Sequence, residues 1–180
     1  MSLIKALLAS LAILATSSAS ATVIDFEDLS GQGGMPANYA GLSWGSGWNH
    51  YDWSQFPYNP SSGTQRIYNN NNDNSDWFSF SADVVFQGAY FAGSNQAQFE
   101  LYNNGVLVFT SGSIALSSTP TFLASGFSGL VDEVRLNVTN GTFVMDDITF
   151  NEGNDVPEPA GLALVGLGLA GLASLRRRRK

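Results

Sequence analysis

Between Trp44 and Tyr58 the chain places Trp44, Trp48, His50, Tyr51, Trp53, Phe56 and Tyr58, interleaved with Asn49, Asp52 and Gln55 and with no regular alternation. Side chains of these types suit sugar recognition. Indole and phenol rings stack on the C–H-rich faces of pyranoses, and amides and carboxylates bond to hydroxyls. Trp48, Tyr51, Trp53, Asn49 and Asp52 are therefore the candidate glycan contacts. The competing reading is that the same rings seal one end of the domain, because a long loop needs packing of its own to stay ordered.

A second group of residues could hold an ion. In the closing stretch Phe143–Phe150 (FVMDDITF), both faces of an alternating strand are mainly apolar, so at least one of Asp146 and Asp147 should be partly buried. A buried carboxylate needs partners or takes up a proton. The opening stretch (TVIDFED) offers Asp25 and Glu27 opposite Ile24 and Phe26. If the first and last strands pair, Asp25, Glu27, Asp146 and Asp147 can converge on one structural calcium, the cation that hard oxygen ligands favour. The alternative is that one Asp accepts backbone N–H bonds while the other is solvated. The polar run 69–76 (NNNNDNSD) lacks the Gly and terminal Glu of an EF-hand loop and reads as a surface loop.

Catalysis finds little support. His50 is the one histidine and no nucleophile motif accompanies it, so neither a triad nor a zinc site is expected. A glycosidase carboxylate pair requires a separation that sequence does not supply. No catalytic residue is assigned. The sequons at Asn137 and Asn140 read as chance occurrences in a Thr/Asn-rich strand and turn.

The two ends carry address information. Residues 1–21 have Lys5, an apolar run from Ala6 to Ala15 and an Ala19-Ser20-Ala21 site, the pattern of a secretory signal peptide. At the other end, residues 152–159 form a linker that ends in Val156-Pro157-Glu158-Pro159, held extended by its prolines. Residues 160–175 are uncharged and apolar, about 24 Å as a helix, close to a bilayer's hydrocarbon core. Arg176, Arg177, Arg178, Arg179 and Lys180 close the chain and should stay cytoplasmic.

These three parts in this order resemble the PEP-CTERM sorting signal of exported bacterial proteins. The resemblance implies signal-peptidase and exosortase processing, transient anchoring in the inner membrane, and delivery to the cell surface or its polysaccharide matrix.

Without both signals, 15 carboxylates face only Arg66 and Arg135, a net charge of −13 where the whole chain has −7. Nucleic acid, which demands Lys and Arg, is excluded as a partner. Cysteine is absent.

What must position the candidate residues is a set of short strands. Thr22–Asp28, Tyr39–Trp44, Gln65–Tyr68, Trp77–Ser81, Val84–Ala92, Gln96–Tyr102, Val106–Thr110, Thr121–Ala124, Val131–Val138 and Thr142–Phe150 alternate or run apolar, and Asn103-Asn104-Gly105 predicts a type I′ hairpin. No stretch keeps helical periodicity. The fold class is all-β, a jelly-roll-like β-sandwich over residues 22–151, flanked by the signal peptide and a transmembrane sorting helix. The VIDFED-like opening and FVMDDITF-like close are similar to the ends of galactose-binding-like jelly rolls, among them many carbohydrate-binding modules. That resemblance implies the fold and, in many members, calcium between the end strands. The functional expectation is an exported surface or matrix protein that binds extracellular polysaccharide. The alternatives are a structural or adhesive matrix component without a specific ligand and, behind it, a glycan-acting enzyme.

Overall fold

The computed structural model describes residues 21–69, 76–138 and 142–152. The signal peptide up to residue 20, the sorting motif Val156–Pro159, the apolar segment 160–175, the basic end and most of the polar run 69–76 lie outside the described residues. Within them no helix is long and apolar enough to cross a membrane.

Thirteen strands are described: β1 Thr22–Ile24, β2 Gly33–Gly34, β3 Asn38–Tyr39, β4 Leu42–Trp44, β5 Trp48–Tyr51, β6 Arg66–Asn69, β7 Trp77–Gly93, β8 Gln96–Asn103, β9 Val106–Thr110, β10 Ile114–Ala115, β11 Thr121–Ala124, β12 Val131–Val138 and β13 Phe143–Glu152. Their ladders are all antiparallel.

The organising element is β7. Its first part pairs with β4 and β12, through Phe78 opposite Trp44 and Val134. Its second part pairs with β13 and β11, through Ala92 opposite Val144 and Ala89 opposite Leu123. Ser81, Ala82 and Asp83 are exposed where the strand passes from one set of partners to the other. One sheet thus runs β4-β7-β12-β8 and the other β11-β7-β13-β6-β5-β2. The sequence predicts two separate strands here; they are one 17-residue strand because the polar break at Ser81–Asp83 leaves the backbone extended.

Between the sheets lie Phe78, Phe86, Phe91, Phe99, Phe143, Met145 and Ile148, all buried. Phe86 meets Phe99 edge-on at 4.9 Å. Burying each such ring contributes about 1.5–3 kcal/mol. Gly88, at φ +144°, admits the β11 backbone, since a Cβ there would stand 2.2 Å from the Leu123 carbonyl oxygen.

The first and last strands do pair, Ile24 opposite Ile148. The predicted parity of the last strand does not hold along its length. Asp147 adopts φ +48° and the register shifts between Asp146 and Thr149, a β-bulge. Phe143 and Met145 before the bulge, and Ile148 and Phe150 after it, all reach the core. The hairpin forms at Asn104 (φ +51°) and Gly105 (φ +73°), joining β8 to β9.

Candidate functional site

The β5–β6 connection, Asp52–Gln65, is a long loop whose backbone is tied down by side chains from elsewhere. Arg66, at the start of β6, is 1% exposed. Its Nε donates to the Tyr58 carbonyl at 2.9 Å, one terminal nitrogen to the Thr64 carbonyl at 2.7 Å, and the other to the Trp53 carbonyl. The guanidinium also lies 4.0 Å from the Tyr51 ring centroid. A single cation therefore gathers three points of one loop and stacks on an adjacent strand.

The carboxylates hold the far end of the same loop. Asp146, 2% exposed, accepts from the Ser61 and Ser62 N–H groups at 2.8 and 3.0 Å on one oxygen and from the Asp147 N–H at 2.8 Å on the other. Asp147 accepts from the Ser62 hydroxyl at 2.8 Å. Glu27, from beyond β1, accepts from the Thr64 and Gln65 N–H groups at 2.8 and 2.7 Å. Asp25 is exposed and accepts from the Glu27 N–H. Burial pushes the Asp146 carboxyl up to about 7, and the Asp147 charge adds to that, against the N–H bonds, which favour the anion.

Glu27, Asp146 and Asp147 all accept hydrogen bonds from this one loop. Among the described residues no three His, Asp or Glu side chains gather as metal ligands do. The donor set fits backbone N–H groups better than calcium.

Tying down the loop creates a cavity of about 280 Å³ on the outer face of β5, β6 and β13. Tyr51, Trp53, Tyr58 and Tyr68 line it together with Val144 and the adjoining Phe143 position of β13, and Gln32 and Gln55 supply amides. The Tyr51 ring lies 4.7 Å from Trp53 and 5.4 Å from Tyr68. Gln32 donates to the Tyr68 hydroxyl at 3.2 Å. Burial raises the Tyr51 hydroxyl above its ordinary range, opposed by Arg66, so it remains a neutral donor and acceptor. No lining side chain carries a charge.

The five predicted contact residues separate. Tyr51 and Trp53 line the cavity, and Trp53 is 45% exposed, so its ring is accessible. Trp48 does not belong: it is 1% exposed, packs against Trp44 and Phe143, and donates its indole N–H to the Trp77 carbonyl at 3.0 Å. Strand parity explains the correction, since Trp48 and Tyr51 stand three apart on β5 and face opposite sides. Asn49 donates to the Gly47 carbonyl and Asp52 accepts from the Gly31 N–H, so both shape loops beside the cavity instead of lining it.

His50 is buried on the core side with its Nδ1 unpartnered, and a Cβ on Gly33 would stand 2.9 Å from its Nε2. Sequence reasoning missed Tyr68 and Gln32. Tyr68 was findable, because Ile67 beside it reads as core; Gln32 sits in a Gly-rich loop and carries no signal.

Residues 155–179 match the PEP-CTERM protein-sorting motif. The chain thus carries the signal of an exported protein with a membrane-anchored precursor processed by an exosortase. No curated protein matches the chain. Among solved structures it is similar to three variants of CBM29-2, a family 29 carbohydrate-binding module. The first is 16% identical at a TM-score of 0.46, over 74% of this chain and 92% of that one. The second is 15% identical at 0.46, over 78% and 99%. The third is 16% identical at 0.45, over 78% and 97%.

Proposed function

We infer that the β-sandwich of this exported protein binds a neutral glycan in the aromatic cavity, and that the sorting signal brings it to the extracellular polysaccharide of its own host. The observation that carries the reading is the wall of Tyr51, Trp53, Tyr58 and Tyr68 with the amides of Gln32 and Gln55, which combines stacking faces with hydroxyl-bonding groups. The cavity stands at the small end of ligand sites, room for one or two sugar rings. Its charge-free lining, within a domain of net charge −13, disfavours uronic-acid polymers, which that field repels. Phe56, 81% exposed on the same loop, extends the apolar surface beyond the cavity.

Titration with neutral and with acidic exopolysaccharide, read by tryptophan fluorescence, tests this. The neutral polymer should quench, and Trp53→Ala should weaken binding at least about tenfold, the loss of one stacking contact, with the circular dichroism unchanged. Absence of a quench with every polymer would leave the matrix-component reading in its place.

A further inference from the structure

The aromatic rings of the cavity stack on a sugar's ring face and are indifferent to what its hydroxyls carry, so discrimination among sugars falls to the polar groups. Two of these form a pair. Gln32 Nε2 donates to the Tyr68 hydroxyl oxygen at 3.2 Å, and both side chains line the cavity. The pair is held from both sides. Tyr68 lies on β6 opposite Asn49 of β5. Before Gln32, the Gly31 N–H bonds to Asp52 at 2.9 Å and the Gly31 carbonyl accepts from Gln65 at 3.4 Å; after it, Gly33 pairs with His50. Gln32 is exposed, yet the backbone on each side of it is fixed.

With its oxygen accepting from Gln32, the Tyr68 hydroxyl keeps its proton to donate, and Gln32 Oε1 keeps its lone pairs to accept. Among the described residues neither has another partner. Turning the amide over exchanges the two roles and again leaves a donor beside an acceptor. A sugar hydroxyl is the complement, since it accepts with its oxygen and donates with its proton. A methyl ether or acetate ester in its place has no proton to give, leaves the acceptor bare and brings bulk into about 280 Å³.

We propose that Gln32 and Tyr68 are the specificity-determining pair of this cavity, which reads one free hydroxyl of the stacked ring and so selects neutral glycans that are not O-acylated or O-methylated there. The proposal rests on the glycan reading above and adds the choice among neutral glycans. A site built to bond a hydroxyl rejects the analogue that lacks it, because the site's own polar groups are then left unpaired.

The full-length chain is titrated with the neutral exopolysaccharide of its host, deacetylated in mild base, and with the same polymer O-acetylated, both read by tryptophan fluorescence. The deacetylated polymer should bind at least about tenfold more tightly. Tyr68→Phe keeps the ring and removes the hydroxyl. It should weaken the deacetylated polymer about tenfold, barely change the acetylated one, and so erase most of the preference with circular dichroism intact. Gln32→Ala should do the same, and the double variant no more than either alone, because the two side chains act as one unit. Trp53→Ala should weaken both polymers alike and preserve the preference. Equal binding of the two polymers by the parent chain, or a preference that survives Tyr68→Phe and Gln32→Ala, would overturn the role of the pair and leave the glycan reading standing. Binding of neither polymer would overturn both.

Discussion

Two arginines outside the end signals both stack on a tyrosine, and the two stacks do different work. Arg66 lies 4.0 Å from the Tyr51 ring centroid and Arg135 lies 4.2 Å from that of Tyr102. The first guanidinium is 1% exposed and donates to three loop carbonyls. The side chain of the second is 47% exposed and pairs with Glu133. Nearly identical pair geometry therefore builds a cavity on one sheet and decorates the surface of the other. Desolvation makes the difference: buried, every donor must find an acceptor, so the cation dictates where the loop runs, while in water it dictates nothing.

The largest expected effect is at the buried stack. Arg66→Ala removes the donor from the carbonyls of Trp53, Tyr58 and Thr64 together, and each acceptor that stays buried and unpaired costs about 1–3 kcal/mol. We expect a loss of about 3 kcal/mol in denaturant unfolding, accompanied by loss of the glycan-induced quench. Arg66→Lys should recover little of either, since a single ammonium does not span three divergent carbonyls. A loss under about 1 kcal/mol for Arg66→Ala would break the contrast between the stacks.

The sandwich was legible in the sequence because alternation is a local property, and Asn104-Gly105 announced its hairpin through the backbone conformations it tolerates. The cavity was legible only in part. Tyr51 and Trp53 read as contacts in the sequence, but Trp48 reads as one with them, because an irregular aromatic stretch gives no period from which to assign faces. The bulge at Asp147 was invisible, since one extra residue shifts the parity of everything after it without altering composition. In the sequence Arg66 shows as a charge and not as an anchor, because its acceptors are backbone carbonyls, which every residue has.

A medium effect sharpens the comparison at the other end of the loop. The Asp146 carboxyl rises from an ordinary 3.8 to about 7 in the folded chain. Between those values the folded state holds a proton that the unfolded state has released. This contribution to stability is therefore complete below about 3.8 and is lost as pH rises through about 7, at no more than about 1.4 kcal/mol per pH unit. Asp146→Asn keeps an acceptor for Ser61 and Ser62 but cannot titrate. The stability difference between the parent chain and the variant should accordingly decline between pH 4 and 7 and level off above. Parallel curves would show Asp146 to be ionised throughout, held by its N–H donors. Unfolding in millimolar calcium and in EDTA should superimpose, because those donors already occupy its oxygens; a calcium-dependent rise in Tm would show an ion displacing them.

The smallest effect belongs to the exposed stack. Arg135 on β12 bonds to Glu133 two residues away on the same face, and Tyr102 on β8 bonds to Glu100 at 3.0 Å, again two residues away. Each bond is local and spans no loop, so losing one frees no distant segment. Water replaces the guanidinium as donor to Glu133, and the ring of Tyr102 stays packed along its sheet without the cation. Surface pairs of this kind are worth about 0.2–1 kcal/mol and are screened by salt. Arg135→Ala should thus shift the unfolding free energy by less than about 1 kcal/mol, leave glycan binding unchanged, and shift less still in 1 M salt. Raising the salt should leave the Arg66→Ala penalty unaltered, because its acceptors are neutral carbonyls out of reach of ions. The ratio of the two penalties, measured at low and at high salt, therefore reads desolvation directly: it should grow with salt if burial separates the stacks, and stay constant if geometry alone does.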